Sequence, residues 1–395
     1  MRIGIDARTI LNPEKTDSSI GAGHYTYQLI RHILEVDSDN EYVLFFDYKV
    51  RDKDVKKFSR KNVKIKFYPF SDYKQYIPGA YSEILGLATL QSEKIDVLHV
   101  TSPESRIPVG YHGKTIVTFS DLSAFRVPEC LPIFKRKKNQ AVCSYMANRA
   151  DKIIAVSKSI KDDAGKLFNV PDKKIEVVYA GLDKRFLQKS LVKKERVLGG
   201  YGINKKYILL LGTVEPMKNI TRLIEAFSIF KKRTLRDSGS KRKNFFDYQL
   251  VLAGKRGWMS EEYLQIAKDF GVYDDIVFTG YVIGDNIPAL LDEAEFLVMP
   301  SIYEGFGMTI IEAFARELPA IVSDTASIPE MAGDAVHYIN PFDINAIAEA
   351  LYCFSRNKNV RSEFAKKGLG RISEFDWSST AEETIEIYRA VVDEK

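Results

Sequence analysis

"EFLVMPSIYEGFGMTIIEAFARE", residues 295–317, holds a complete strand–turn–helix unit. Up to Ser301 it is continuously apolar and strand-length, the pattern of a strand buried on both faces. "IYEGFG" is a glycine turn, and "MTIIEAFARE" has the apolar spacing of an amphipathic helix. In open parallel sheets, ligands bind at the carboxyl ends of strands, beside helix N-termini. Gly305 and Gly307 permit positive φ and let the backbone approach a ligand closely. The amides of Gly307, Met308 and Thr309 are first-turn donors without intrahelical partners, and they suit a phosphate. Glu304 lies just before this turn. Glu312 lies one turn in, about 6 Å farther along the axis. A diphosphate at the helix start would thus have a carboxylate on each side, and the two oxygens of a carboxylate match a vicinal diol. A sugar nucleotide has that layout: sugar hydroxyls, pyrophosphate, ribose diol. The same residues also fit a plain helix start whose acidic groups complement its dipole.

Outward from this unit the rhythm repeats. Strand-like runs fall at 2–6, 42–46, 63–68, 96–100, 115–119, 152–156 and 175–179, then at 207–212, 248–254, 275–280, 295–300, 319–323 and 335–339. Most are continuously apolar, and helix-period stretches separate them. That alternation predicts two Rossmann-like, doubly wound α/β domains, as does a length of 395 residues. The break falls in the lysine-rich "LDKRFLQKSLVKKERVLGGYGINKKY", 182–207. We expect a first domain over 1–185, a linker over 186–206 and a second domain over 207–375. The polar, basic stretch 233–247 reads as a surface loop.

A net charge of +5 does not indicate a nucleic-acid partner. No apolar run approaches the roughly 18 residues that span a bilayer, and "MRIGIDARTI" reads as a strand rather than a secretion signal. Three cysteines without metal spacing point to a reduced, cytoplasmic setting. There is no D-x-D motif in a suitable loop and no G-x-S-x-G, and the histidines are dispersed, so neither a metal nor a cofactor is expected.

With the Glu304/Glu312 pair in view, the chain resembles the retaining glycosyltransferases of family 4, over nearly its whole length. The resemblance implies the GT-B fold: two Rossmann-like domains facing across a cleft, with a last helix, 376–395, packing back on the first domain. The first would be the acceptor side, and the second would bind the nucleotide-sugar. Its strongest stretch is 301–343, where the two glutamates match the family's E-x₇-E pair. Glu304 would lie by the donor sugar and Glu312 would bind ribose, with Gly305, Phe306, Gly307, Met308 and Thr309 forming the donor pocket. In "GTVEPMKNITRLIEAF", 212–227, Lys218 matches the pyrophosphate lysine. Thr213 and Met217 stand where relatives often carry an arginine, and Lys255 or Arg256 could supply that cation or be plain surface residues. Glu215 reads as a loop or capping residue. Gly21 and Gly23 match a turn that faces the donor phosphate, although G-x-G alone is often only a turn. His24 there reads as a helix-start polar residue. "TIVTFSDLSAFRVPE", 115–129, departs from the family: Ser120 replaces its usual histidine, while Asp121 remains, a catalytic candidate beside Glu304 and Lys218. His99 reads as a core histidine.

The resemblance implies front-side transfer of a hexose to a saccharide or lipid-linked glycan in surface-polysaccharide assembly, mannose from GDP-mannose first and a UDP-sugar second. The alternatives are a non-catalytic partner that binds a nucleotide-sugar or glycan, which Ser120 motivates, and a nucleotide-sugar epimerase. Two basic or aromatic stretches, 67–86 and "CLPIFKRKKNQ", 130–140, suit an anionic membrane surface through Lys135, Arg136, Lys137 and Lys138. They suit a solvated helix face equally.

Overall fold

A computed structural model describes residues 1–10, 21–68, 80–190, 192–238 and 247–394. The chain divides into two compact units. One comprises Met1–Phe125, Ile133–Gly181 and Asp376–Lys395; the other comprises Arg126–Pro132 and Leu182–Phe375.

The first unit is built on seven strands: β1 (Arg2–Asp6), β2 (Glu41–Asp47), β3 (Val63–Tyr68), β4 (Val97–Val100), β5 (Lys114–Phe119), β6 (Lys152–Ala155) and β7 (Ile175–Val177). Their order across the sheet is β3-β2-β1-β4-β5-β6-β7, with every pairing parallel. The second unit has six: β8 (Lys206–Leu211), β9 (Tyr248–Ala253), β10 (Ile276–Gly280), β11 (Phe296–Met299), β12 (Ala320–Ser323) and β13 (His337–Ile339). Their order is β10-β9-β8-β11-β12-β13, again all parallel. Each sequence-predicted strand is present; most are covered on both faces and carry an unbroken apolar signal, whereas β3, VKIKFY, is half-exposed and alternates with lysines. In both sheets the winding direction reverses once, between β1 and β4 and between β8 and β11. Such a reversal opens a crevice at the carboxyl ends of the two strands concerned.

The last helix, Trp377–Asp393, belongs to the first unit and packs on the helix Ala22–Val36 and on β4 and β5. Trp377 is buried, tilted against Tyr25 and stacked on His32. Tyr388 closes the other end: its hydroxyl sits 2.7 Å from His99 Nδ1, while His99 Nε2 sits 2.8 Å from the Thr118 hydroxyl. His99 is fully buried, and desolvation pushes its pKa down to about 3, so it is a neutral core residue.

Two stretches are more helical than their composition suggests. Within 186–206, the helix Lys194–Tyr201 packs on Asn286–Glu293 and ties to it through Lys194–Glu293 at 2.9 Å. It is part of the second unit. The helix Ile220–Ser238 continues through 233–238 of the expected loop, with Thr234 buried and Arg233 paired to Glu349 and lying over the Tyr352 ring. Lysine and arginine are good helix formers, so a basic run does not by itself end a helix. The remainder of that loop, 239–246, lies outside the described residues, as does most of the aromatic stretch 67–86.

Gly181 carries the chain past the last helix so closely that an added Cβ would overlap the Trp377 backbone nitrogen. Gly181→Ala should therefore cost about 1–3 kcal/mol, read from the midpoint of urea unfolding. Gly199→Ala, in a helix with open space around the new Cβ, should be neutral or gain up to about 1 kcal/mol.

Candidate functional site

The loop leaving β8 begins at Gly212, whose φ of 142° is one that L side chains rarely adopt. Beside it, a Cβ on Gly254 would overlap the Gly212 carbonyl oxygen, so only glycine lets these two strand ends pass. The loops then zip together. The Val214 amide donates to the Lys255 carbonyl at 2.9 Å, and the Gly257 amide to the Val214 carbonyl at 3.0 Å. Pro216–Lys218 forms one tight 3-10 turn that Glu215 precedes without a side-chain cap, and Asn219 leaves it in the left-handed region at φ 60°. Buried Asn219 is fixed there by donating its side-chain amide to the Pro341 carbonyl at 2.6 Å. The glycine at 212 leaves room for the Lys218 side chain, whose Cε would be 3.4 Å from any Cβ placed there.

The loop leaving β11 is held by backbone-directed bonds. The Ile302 amide donates to the Met217 carbonyl at 2.9 Å, which locks the β11 loop to the β8 loop. From the end of β12 and the loop after it, Ser323 and Thr325 donate to the Ser301 carbonyl at 2.5 and 3.1 Å, and Ser327 donates to the Glu304 carbonyl at 2.8 Å. The result is that Glu304 Oε1 lies 2.5 Å from Lys218 Nζ, with side chains only 11% and 12% exposed. Gly307 then turns the chain at φ 92° into the helix Met308–Ala315. Among the described residues, the amides of Gly307, Met308 and Thr309 have no protein acceptor. Of the two glycines expected to need positive φ, only Gly307 takes it. Phe306 turns its ring into the interior, edge-on to Phe375, and is a packing group.

Glu312, on the first turns of that helix, is half-buried. Desolvation pushes its carboxyl up to about 7; Arg185 opposes the shift and Asp183 adds to it. Both neighbours belong to the segment around the turn Lys184–Leu187, which packs on the helix. Arg316 fixes that segment by donating to the Phe186 and Gln188 carbonyls at 3.0 and 2.8 Å while pairing with Asp292 at 2.6 Å.

Lys255 is exposed and, among the described residues, has no ion pair. Arg256 is exposed and lies 3.5 Å from Glu261, and Thr213 is half-buried. The sequence-predicted residues Gly21, Gly23, Ser120 and Asp121 belong to the first unit. Gly21 precedes the helix Ala22–Val36 at φ 63°, and Gly23 is buried in its first turn. Ser120 is half-buried just past β5. Asp121 is exposed and accepts the Ser123 amide at 2.5 Å, which gives it a local turn-forming role. Residues 18–20 of the glycine turn lie outside the described residues.

Asn219, Ser323, Thr325, Ser327 and Arg185 hold this site together, and sequence reading did not single them out. Asn219 had one usable signal: an asparagine between a lysine and a helix start, where the left-handed conformation is favoured.

The geometry agrees with known families. The model described as "Glycosyl transferases group 1" matches residues 195–371, and "Glycosyltransferase Family 4" matches 20–186. The chain is 28% identical to "O-antigen chain mannosyltransferase B" of Escherichia coli, over 71% of this chain and 74% of that one. It is 29% identical to "O-antigen chain mannosyltransferase RfbU" of Salmonella typhimurium, over 63% of each. Among solved structures it is similar to the sucrose-phosphate synthase of Thermosynechococcus elongatus, with TM-score 0.75, 16% identity and 99% of both chains covered. It is also similar to Anabaena Alr3699/HepE in complex with UDP and glucose, with TM-score 0.71, 14% identity and 99% and 100% coverage. These matches show the GT-B fold.

The raised carboxyl of Glu312 sets a pH signature. Between its ordinary value of 4.5 and about 7, the folded chain keeps a proton that the unfolded chain releases. Its contribution to stability is complete below pH 4.5 and is lost as pH rises through about 7. Glu312→Gln should remove that slope, with a gain over wild type that grows with pH to about 1–3 kcal/mol, followed by melting temperature from pH 5 to 8.5.

Proposed function

The chain belongs to the GT-B glycosyltransferases of family 4, with both of their domain models matched, and on that premise we propose that it is a retaining mannosyltransferase of surface-polysaccharide assembly. Its donor is GDP-mannose first and a UDP-sugar second; its acceptor is a saccharide or lipid-linked glycan, met on the cytoplasmic side. The observation that carries the proposal is the Lys218–Glu304 pair at the carboxyl ends of β8 and β11, beside the unclaimed amides of Gly307–Thr309. A cation and a helix start suit a diphosphate, and a carboxylate within reach of both suits sugar hydroxyls. The named mannosyltransferase relatives favour mannose.

In retaining transfer the acceptor hydroxyl approaches from the face that the diphosphate leaves, and the departing phosphate oxygen takes its proton. The protein's part is to position the partners and to stabilise the departing charge. Lys218 and the amides of Gly307–Thr309 supply that stabilisation, and Glu304 holds the sugar. Ser120 favours a second reading, a nucleotide-sugar binder without turnover, because a serine reaches less far than the family's histidine and carries no charge.

Incubation with labelled GDP-mannose and UDP-glucose separates the two readings. We expect transfer or slow release of mannose from GDP-mannose, with the α-anomer retained in the product. Tight binding without release, with or without glycan acceptors, would establish the second reading instead.

Glu304 already pairs with Lys218. An entering diphosphate offers Lys218 another anion, and the sugar's hydroxyls take over the carboxylate. A sugar-free nucleoside diphosphate strands that carboxylate, and an unpaired buried charge is costly. Glu304→Gln should therefore tighten binding of free nucleoside diphosphate by about 3–10-fold in calorimetric titration while slowing transfer. Lys218→Ala should weaken binding and slow transfer together. A Glu304→Gln protein that binds free diphosphate more weakly than wild type would contradict this exchange.

A further inference from the structure

The outer side of the helix Ala22–Val36 carries Tyr27, Arg31, Leu34 and Glu35 on one stripe, at spacings of three and four residues. Against this stripe packs the tight turn Lys56–Phe58, with Phe58 edge-on to Tyr27 at 5.7 Å between ring centres. The two elements and Arg60 enclose a cavity of about 130 Å³ in the first unit. Arg31, Lys57 and Arg60 are exposed, so the cavity opens to water on their side.

Three cations thus face one carboxylate. Glu35 accepts from Arg31 Nε at 3.0 Å, with the two side chains 41% and 48% exposed. An ion pair so open to water contributes little and is readily exchanged. Among the described residues, Arg31 Nη1 and Nη2 have no acceptor. Arg60 is held more firmly: Nη1 donates to the Lys57 and Ser59 carbonyls at 3.2 and 3.0 Å. That fixes the plane of its guanidinium and leaves Nε and Nη2 without an acceptor among the described residues. Lys57 Nζ lies 4.4 Å from the centre of the Tyr27 ring, a contact that keeps the ammonium at the cavity.

These groups select a ligand by charge and size. Tyr27 and Phe58 are only 8% and 3% exposed, so neither offers an open face on which a sugar ring could stack. The cavity has room for roughly four waters, which is about the space of one phosphoryl group. Two guanidinium edges present paired N–H donors, and the ammonium adds a compact point charge. A tetrahedral dianion offers oxygens to all three, whereas a carboxylate has two oxygens and a single charge.

We propose that this cavity binds a phosphoryl dianion, with Arg60 and Lys57 as its fixed donors and Arg31 turning from Glu35 to join them. Any substituent on the phosphorus stays outside, in water. The site uses none of the residues assigned to the diphosphate pocket, and it does not depend on the choice of donor sugar.

The test is calorimetric titration of the full chain at low salt, with inorganic phosphate and with glycerol phosphate. One anion should bind with Kd of about 1 mM or tighter, and it should still bind to Lys218→Ala protein. Lys57→Gln and Arg60→Gln should each weaken binding at least about fivefold. Glu35→Gln should tighten it about 2–5-fold, because it removes the acceptor that competes for Arg31. Lys193→Gln, an exposed lysine of the second unit, should change it less than about twofold. All four substitutions change exposed side chains, and equal melting temperatures confirm that the variants fold. Equal affinity for the two ligands identifies free phosphate as the ligand, and a preference of about tenfold for glycerol phosphate identifies a phosphomonoester; both support the site. No binding up to about 20 mM overturns it, as does binding that Lys57→Gln and Arg60→Gln leave unchanged. Binding lost in Lys218→Ala would place the anion in the diphosphate pocket instead. Equal weakening by Lys193→Gln would reduce the effect to general attraction between charges, and would overturn the site as well.

Discussion

The site depends on two opposite charges held together where water barely reaches. Lys218 and Glu304 come from loops that are far apart in sequence but leave neighbouring strands, β8 and β11, at the place where the sheet reverses its winding. Removing two charges from water is costly, and their attraction repays that cost only when the geometry is well fixed. The fixing is done by the backbone: Ile302 to Met217 joins the loops, Asn219 anchors the lysine turn to Pro341, and Ser327 anchors the glutamate turn. The ion pair is thus the outcome of a rigid frame. Both charged groups are therefore held in place before any other group meets them.

Glycine is what allows the frame to close. At Gly254 the carbonyl of the adjoining strand end occupies the space a side chain would need, and Gly307 turns the chain into its helix through a conformation that L side chains avoid. Elsewhere the two units use ordinary means. In the first unit, polar side chains pair across the core: Thr26 bridges Thr9 and Thr101, and His99 bridges Thr118 and Tyr388. Through Tyr388 that polar core also secures the final helix, which packs on the helix Ala22–Val36 and on β4 and β5.

What the sequence made legible follows from these mechanisms. The thirteen strands of the described residues could be read, most of them because burial on both faces leaves an unbroken apolar run. The Glu304 and Glu312 spacing and Lys218 could be read because a strand, a glycine turn and a helix surround them. The pins could not be read: Ser323, Thr325 and Ser327 bond to carbonyls 22 to 24 residues away, and a carbonyl is the same whatever residue carries it. Phe306 packs its ring edge-on against Phe375, a contact that the glycine-turn reading did not foresee. Helices at 194–201 and 233–238 were missed because lysine-rich composition resembles a loop, whereas contacts such as Lys194–Glu293 and Arg233–Glu349 give those charges helical partners.

Backbone-directed pinning also explains how this architecture survives with little shared sequence. A bond from a serine or an amide to a carbonyl places few demands on the residue that supplies the carbonyl. Only the donor, the turn glycines and the charged pair are constrained. Substitution can therefore spread through strands and helices, provided that apolar volume is kept, while the ends of β8 and β11 stay where they are. The second unit keeps its Lys218–Glu304 pair through bonds that most substitutions leave untouched.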